Sequence, residues 1–264
     1  MGKTLNVFIF DIETVPDVEA GRRLYDLDGL NDDDTAKAMR HLRLTSAGTD
    51  FLRHHLHRVV AISAVLRTAD RLSVWSLGDA DGGEAELISR FFDGLDRFSP
   101  QLVSWNGSGF DLPVLHYRAL VHGIAAPRYW DTGQDDNSFR FNNYLNRFHE
   151  RHLDLMDVLA GYQPRAAVGL QEIATILGFP GKMGMSGEKV WDVWRAGGIE
   201  EIRNYCETDV LNTYLVFLRF QLMRGLLTSA AHAQECALLR EYLLGSGIPH
   251  LQAFESEWED RGST

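Results

Sequence analysis

Asp11 and Glu13 stand two apart where an apolar, β-prone run, Leu5 to Phe10 (LNVFIF), gives way to charge. Alternate residues of a strand share a face, so both carboxylates project together while Ile12 points the other way. Paired hard-oxygen donors of this kind suit Mg²⁺ or Mn²⁺. A solvated strand end offers the same text, so the pair does not decide the matter. Asp111 closes Asn106-Gly-Ser-Gly-Phe-Asp111, where a strand turns into a helix. An acid there either joins the chemistry or complements the helix dipole. Tyr205 and Asp209 are four apart in a helical pattern, share one face and can meet the same atom. None of these signals is specific alone; their order along one chain, D-x-E, then N-x-x-x-F-D, then Y-x-x-x-D, carries the weight.

The elements that must hold these residues follow from the hydrophobic pattern. The continuous apolar run into Asp11 reads as a strand buried on both faces. Residues 31–44 read as a surface helix capped by Asn or Asp. Val59 to Leu66 and Leu72 to Leu77 flank a turn and read as a hairpin. Glu84 to Phe98 reads as an amphipathic helix, Leu102 to Trp105 as a short strand, and Leu112 to His122 as the helix after the Gly-rich turn. Ala126 to His152 lacks periodicity and reads as a long loop or lid with room for a short helix, and loops of that length are usually functional. Leu155 to Leu159 and Leu170 to Leu177 are short helices, 178–187 a Gly-rich turn, Ile199 to Leu227 one long helix and Ala230 to Leu244 another. The architecture is therefore α/β with a mixed sheet.

The chain has 264 residues, 26 Lys and Arg against 37 Asp and Glu, and a net charge of −11. Broad electrostatic capture of nucleic acid or anionic membrane is excluded as the main mode of binding, so any polyanion must be gripped locally. Part of the acid crowds the segment Asp26 to Asp34 and a tail, Glu255 to Asp260, away from a central site. Two cysteines without a C-x-x-C spacing fit a reducing, cytoplasmic setting. No apolar run is long enough to span a bilayer, and no signal-peptide pattern opens the chain.

FDIET (10–14), WNGSGFDLP (105–113) and NYCETD (204–209) resemble the DEDD superfamily of 3′-to-5′ exonucleases, in its tyrosine-bearing branch. HRVVAISAV (57–65), HLDLMDVL (152–159) and LGFPGKMGMSGEKVW (177–191) are similar to a bacterial family of predicted exonucleases related to the exonuclease domain of B-family DNA polymerases. The resemblance spans residues 5–220 and implies a ribonuclease H-like, mixed five-stranded sheet flanked by helices. That places an exonuclease domain over 1–227, with insertions near 20–55 and 126–152, and a helical extension with an acidic tail over 228–264.

By resemblance, Asp11 bridges two divalent cations, Mg²⁺ or Mn²⁺, Glu13 and Asp209 complete the site that activates water, and Asp111 holds the second ion. Tyr205 sits beside the nucleophile. With an ordinary pKa of about 10, it is expected to orient the water instead of acting as the bulk base. In-line attack of water on a phosphodiester independently calls for such a clamp: two divalent ions offset four carboxylates. Thr14 and Val15 are implied to meet the 3′-terminal nucleotide, and Phe110 offers a stacking face. Lys182 could touch a phosphate and Asn106 the substrate, though a solvated lysine and a turn former are equal readings. Arg140, Phe141, Tyr144, Arg147, Phe148, His149, Arg151 and His152 interleave cations with rings, either as a single-strand guide or as a lid packing its own aromatics. Asp154 either supports the metal site or caps a helix. The histidines of RHHLHR (53–58) lack zinc-site spacing, Gly107 and Gly109 lack the rest of a dinucleotide fingerprint, and Ser108 lacks a triad partner.

The expected activity is two-metal hydrolysis at the 3′ end of single-stranded DNA or RNA, with DNA slightly favoured, releasing nucleoside 5′-monophosphates. The expected partner is thus a single-stranded 3′ end and not a membrane. The alternatives are a hydrolase of oligonucleotides or small phosphodiesters, which an acidic surface would suit, and a catalytically idle nucleic-acid-binding module.

Overall fold

The computed structural model describes residues 6–262, so Leu5, the expected start of the first strand, lies outside them. In chain order the elements are β1 (Val7–Pro16), α1 (Val18–Tyr25), α2 (Asp32–Ala47), β2 (His57–Arg67), β3 (Leu72–Ser76), α3 (Glu84–Phe98), β4 (Gln101–Ser104), α4 (Asp111–His122), α5 (Pro127–Trp130), β5 (His152–Asp154), α6 (Leu155–Leu159), α7 (Leu170–Ile176), α8 (Val190–Arg195), α9 (Ile199–Met223), α10 (Ser229–Gly245) and α11 (Pro249–Gly262). The five strands form one mixed sheet in the order β3-β2-β1-β4-β5. The first three pair antiparallel, whereas β1, β4 and β5 run parallel. This is the ribonuclease H-like architecture expected from the motifs.

Strand β1 is the centre of the molecule, and its parity divides the core. Phe8, Phe10 and Ile12 face the layer of α3 and α4 with Phe91, Phe92 and Leu115. Val7 and Ile9 face the layer of α9 with Val210, Leu211 and Tyr214. Asp11 and Glu13 continue the second set, which points them at the helix that carries Tyr205 and Asp209. The strand does not end at Asp11, as its sequence suggests, but runs on to Pro16 because β2 pairs with it throughout. Its other neighbour is much shorter: β4 pairs only with Val7 to Ile9. Past Ile9 the sheet therefore splits, leaving the kind of crevice at the carboxyl ends of parallel strands in which α/β proteins bind ligands.

Three helices and one strand escape the periodicity. In α1, Gly21 masks the helical pattern, and it is required there, since a Cβ at that position would stand 2.3 Å from Met39 Sδ on α2. Helix α8 spans six residues and β5 three, too few for a period to declare itself. The segment read as an acidic tail is α11, and Glu255 in it is buried and bonded to Arg240 at 2.6 Å. Leu239, Leu243, Leu251, Phe254 and Trp258 of α10 and α11 join the α9 core, so the C-terminal helices pack as part of the main body. The expected loop of 126–152 contains α5 and a 3₁₀ turn and ends in β5. No helix among the described residues is long and apolar enough to cross a membrane.

A buried ionic knot ties the crevice's outer wall together. Arg118 on α4 bonds Glu84 on α3 at 2.5 and 2.7 Å and Asp17 at 2.5 Å, while Glu84 also accepts the Val59 N–H of β2 at 2.6 Å. Both Arg118 and Glu84 are nearly inaccessible to water. Removing one partner of such a pair leaves a buried charge unmatched and costs about 3–5 kcal/mol. Arg118→Met is accordingly expected to lower stability by about that amount in urea titration, whereas an effect below about 1 kcal/mol would mean the knot is solvated.

Candidate active site

The crevice brings the predicted acids together. Ligand oxygens of Asp11, Glu13 and Asp209 lie within 4.8 Å of one another, and they form the one such cluster of three or more metal-type ligands among the described residues. Asp111 stands beside it: its Oδ1 accepts the Ile12 N–H at 3.2 Å, filling the hydrogen-bonding place that a longer β4 would occupy. As the first residue of α4, its carboxylate also faces a helix N-terminus.

The electrostatics follow from that crowding. Burial first, then the charges of Asp111, Glu13 and Asp209, hold the Asp11 carboxyl well above the usual range. Burial, Asp209 and Asp111 do the same to Glu13, with Lys182 opposing them. Burial raises Asp111 to about 7 despite its backbone hydrogen bonds. It raises Asp209 to about 6, against the Tyr205 hydroxyl and the Lys182 charge. Tyr205 is pushed up by its burial and then by the charges of Asp209, Glu13 and Asp11. It therefore stays protonated and can donate. An all-oxygen donor set whose members repel one another fits hard divalent cations such as Mg²⁺ or Mn²⁺, which would neutralise it.

Scaffolding residues around the acids place these groups. Asp154, at the start of α6, accepts N–H bonds from Asn106 and Ser108, both at 2.9 Å, and from Asp157 at 3.3 Å. It is thus both a helix cap and the clasp that shapes the turn leading to Asp111. Asn106 takes a left-handed conformation, φ 65°, and Gly107 must be glycine because a Cβ would stand 2.3 Å from Ser104 Oγ. On the other side, Asn212 of α9 bonds both the N–H and the carbonyl of Gly181 at 3.0 Å. That tie holds the Gly-rich segment against α9 and brings the exposed Lys182 close enough for its charge to act on Glu13 and Asp209. Sequence inspection passes over Asn212; its only signal is a polar residue on a helix face that is otherwise apolar.

A cleft of about 630 Å³ opens from Glu13, lined among others by Thr14, Phe51, His57, Phe110 and Trp191. Thr14 and Phe110 border this cleft, with the Thr14 hydroxyl 2.9 Å from His57 Nδ1. Val15 does not. Its side chain is 1% exposed and packs with Val190, Trp191 and Ile202, because α8 covers that stretch of the strand. Asn106 lines a different cavity, of about 590 Å³, together with Arg147, Asp154 and Asp157.

The ring-and-cation segment divides. The Tyr144 hydroxyl donates to Pro100 O at 2.7 Å, Arg151 lies 3.8 Å over Phe139, His152 Nε2 meets Ser104 Oγ at 2.9 Å, and His149 Nδ1 accepts the Asn143 N–H at 3.0 Å. These four are built into the fold. Phe141 and Phe148 stay outside, 76% and 69% exposed, while Arg147 pairs with Asp157. Of the RHHLHR histidines, His54 donates to Gly109 O at 2.8 Å, and His57, pushed down to about 4 by burial, meets Leu52 O. Cys206 is buried with Sγ 3.6 Å from Asp11 Oδ2, and Cys236 is partly buried.

Residues 49–258 match the family described as predicted 3′-5′ exonucleases related to the exonuclease domain of PolB. The chain belongs to that family. The matched stretch holds Asp111, Tyr205 and Asp209, and β1 ahead of it adds Asp11 and Glu13. A DNA polymerase of Archaeoglobus fulgidus is 27% identical over 138 residues, which cover 51% of this chain and 17% of the polymerase. The family B DNA polymerase of Pyrobaculum calidifontis superposes with a TM-score of 0.48 at 19% identity, over 95% of this chain and 27% of that one. The chain thus spans well under a third of either polymerase.

The raised carboxyls give a stability signature. A group whose folded pKa exceeds its unfolded value stabilises the fold below the unfolded pKa, and that stability is lost as pH rises through the folded value. For Asp209 and Asp111 the loss begins near the ordinary carboxyl value of about 4 and is complete near pH 6 and 7. In EDTA the melting temperature is therefore expected to fall between about pH 4 and 7. Mg²⁺ or Mn²⁺ at pH 8 should restore it by roughly 2–4 °C per kcal/mol of binding. A melting curve indifferent to both pH and cation would contradict this electrostatic account.

Proposed function

We propose that the protein is a divalent-cation-dependent 3′-to-5′ exonuclease that removes nucleoside 5′-monophosphates from single-stranded ends. The observation that carries this reading is the meeting of Asp11, Glu13 and Asp209 from two distant elements, with Tyr205 close enough to Asp209 for each to act on the other's proton affinity. Four carboxylates crowded into one crevice with a single nearby cation, Lys182, are costly, which argues against the idle binding module. The family's relation to PolB and the polymerase relative support DNA slightly over RNA.

Asp11, Glu13, Asp111 and Asp209 are the residues to hold a pair of Mg²⁺ or Mn²⁺ ions. When bound, such a pair stabilises charge on the attacking and leaving oxygens of in-line displacement at phosphorus. Tyr205 keeps its proton and orients the attacking water through its hydroxyl, next to Asp209. Lys182, the cation closest in effect to Glu13 and Asp209, receives a phosphate oxygen of the substrate. Phe110 offers its ring to the terminal base, and the Thr14 hydroxyl, turned to His57, borders the same space.

Digestion of matched 5′-labelled single-stranded DNA and RNA with Mg²⁺, Mn²⁺ or EDTA tests the reading. A metal-dependent, stepwise ladder is expected, absent in Asp11→Ala and in Asp209→Ala, with Tyr205→Phe slower by roughly 100-fold yet still binding metal. Full activity in either alanine variant would refute the clamp. A rate that collapses beyond about three nucleotides would favour the small-substrate hydrolase instead.

A further inference from the structure

Phe51 lies between α2 and β2, in a stretch that reads as an insertion and carries no motif. Its ring is 57% exposed, yet it is held in place. The ring stands 5.5 Å from Phe110 and 5.4 Å from His57, and His57 stands 5.0 Å from Phe110. The backbone around it is pinned as well: Arg43 Nε donates to Phe51 O, and Phe51 N–H bonds Thr49 Oγ1, both at 3.2 Å.

Anchoring the segment does not require this ring. The neighbouring Leu52 is 5% exposed and packs with Met39 and Leu56, which fastens the segment to α2. An aromatic face left open to water beside that anchor gives up much of what burial would contribute. It opens onto the cleft that holds Glu13 at its inner end. The cleft also contains Arg40, which makes no ion pair among the described residues and stands near enough to His57 to act on it. A volume of about 630 Å³ falls within the usual size of small-ligand pockets, about 300–1,000 Å³. His57, kept neutral by burial, completes a platform of rings without placing a charge under it. Nucleobases present a π face whatever their sequence, and fixed, half-exposed rings are what bind them.

We propose that Phe51 is a specificity residue of the cleft, extending the Phe110 face into a two-ring platform for the 3′-terminal base that favours purines. This rests on the exonuclease reading above and adds a contact from outside the motifs. Phe51 touches no metal ligand, so its loss should act on binding and leave the chemical step alone.

The test is steady-state hydrolysis of 5′-labelled single strands that differ only at the 3′ end: adenine, thymine or an abasic nucleotide. Phe51→Ala and Phe51→Leu, the second keeping apolar bulk without a ring, are compared with wild type after thermal melts establish that all three fold alike. Both variants are expected to raise KM on the adenine end by about 5- to 30-fold, with a smaller rise on thymine. The abasic end should be unaffected, kcat should hold throughout, and Phe51→Trp should recover the adenine KM. An equal rise on all three ends, or none on any, would overturn the proposal while leaving the exonuclease intact. Failure of the wild type to cut any end would overturn the exonuclease reading and this one with it.

Discussion

Like charges in a low-dielectric crevice set the terms for the whole molecule. Asp11, Glu13, Asp111 and Asp209 lose hydration where they stand, Asp11 and Glu13 are also repelled by the other acids, and each of the four is displaced above its ordinary titration range. Nothing in the cluster itself holds it together, so the surrounding frame must. That frame is the central strand β1 on one side and the buried helix α9 on the other, joined by cores in which Ile9, Val210 and Tyr214 are fully enclosed. The rigidity of these two elements serves the acids more directly than it serves the fold's own stability.

The supporting contacts extend that frame. Asp154 shapes one turn and Asn212 ties down another, and both do so by bonding backbone groups that have no partner in regular structure. Buried polar side chains used in this way specify one arrangement of the loop instead of many. The result is a site whose acids come from strand and helix, and whose cation, Lys182, comes from a turn anchored to the same helix. Charges carried by regular elements keep a fixed separation.

Much of this was legible in the sequence, for definite physical reasons. Parity on β1 placed Asp11 and Glu13 together, and a four-residue step on α9 placed Tyr205 beside Asp209; both rest on fixed backbone periods. The mixed sheet followed from a hairpin placed ahead of the strand-helix units. What escaped depended on distant packing. Val15 has the same parity as Glu13, but α8 covers it, and six residues between glycines give no warning of a helix. β5 is too short to alternate, and Asp154 looks like any helix cap until the turn it clasps is seen. For Arg151 and Tyr144 the sequence left a strand guide and a self-packed lid equally open, and only the packing of cation on ring inside the fold separates them.

The short pairing of β4 has one further consequence. Because Asp111 satisfies a main-chain amide of β1 that no strand reaches, the residue belongs to the sheet as much as to the site. Sequence drift at the other acids can relieve repulsion without disturbing the backbone. Drift at Asp111 must also find a new acceptor for the Ile12 N–H, so an Asp or Asn is expected to persist at 111 even where Asp11 or Glu13 has changed.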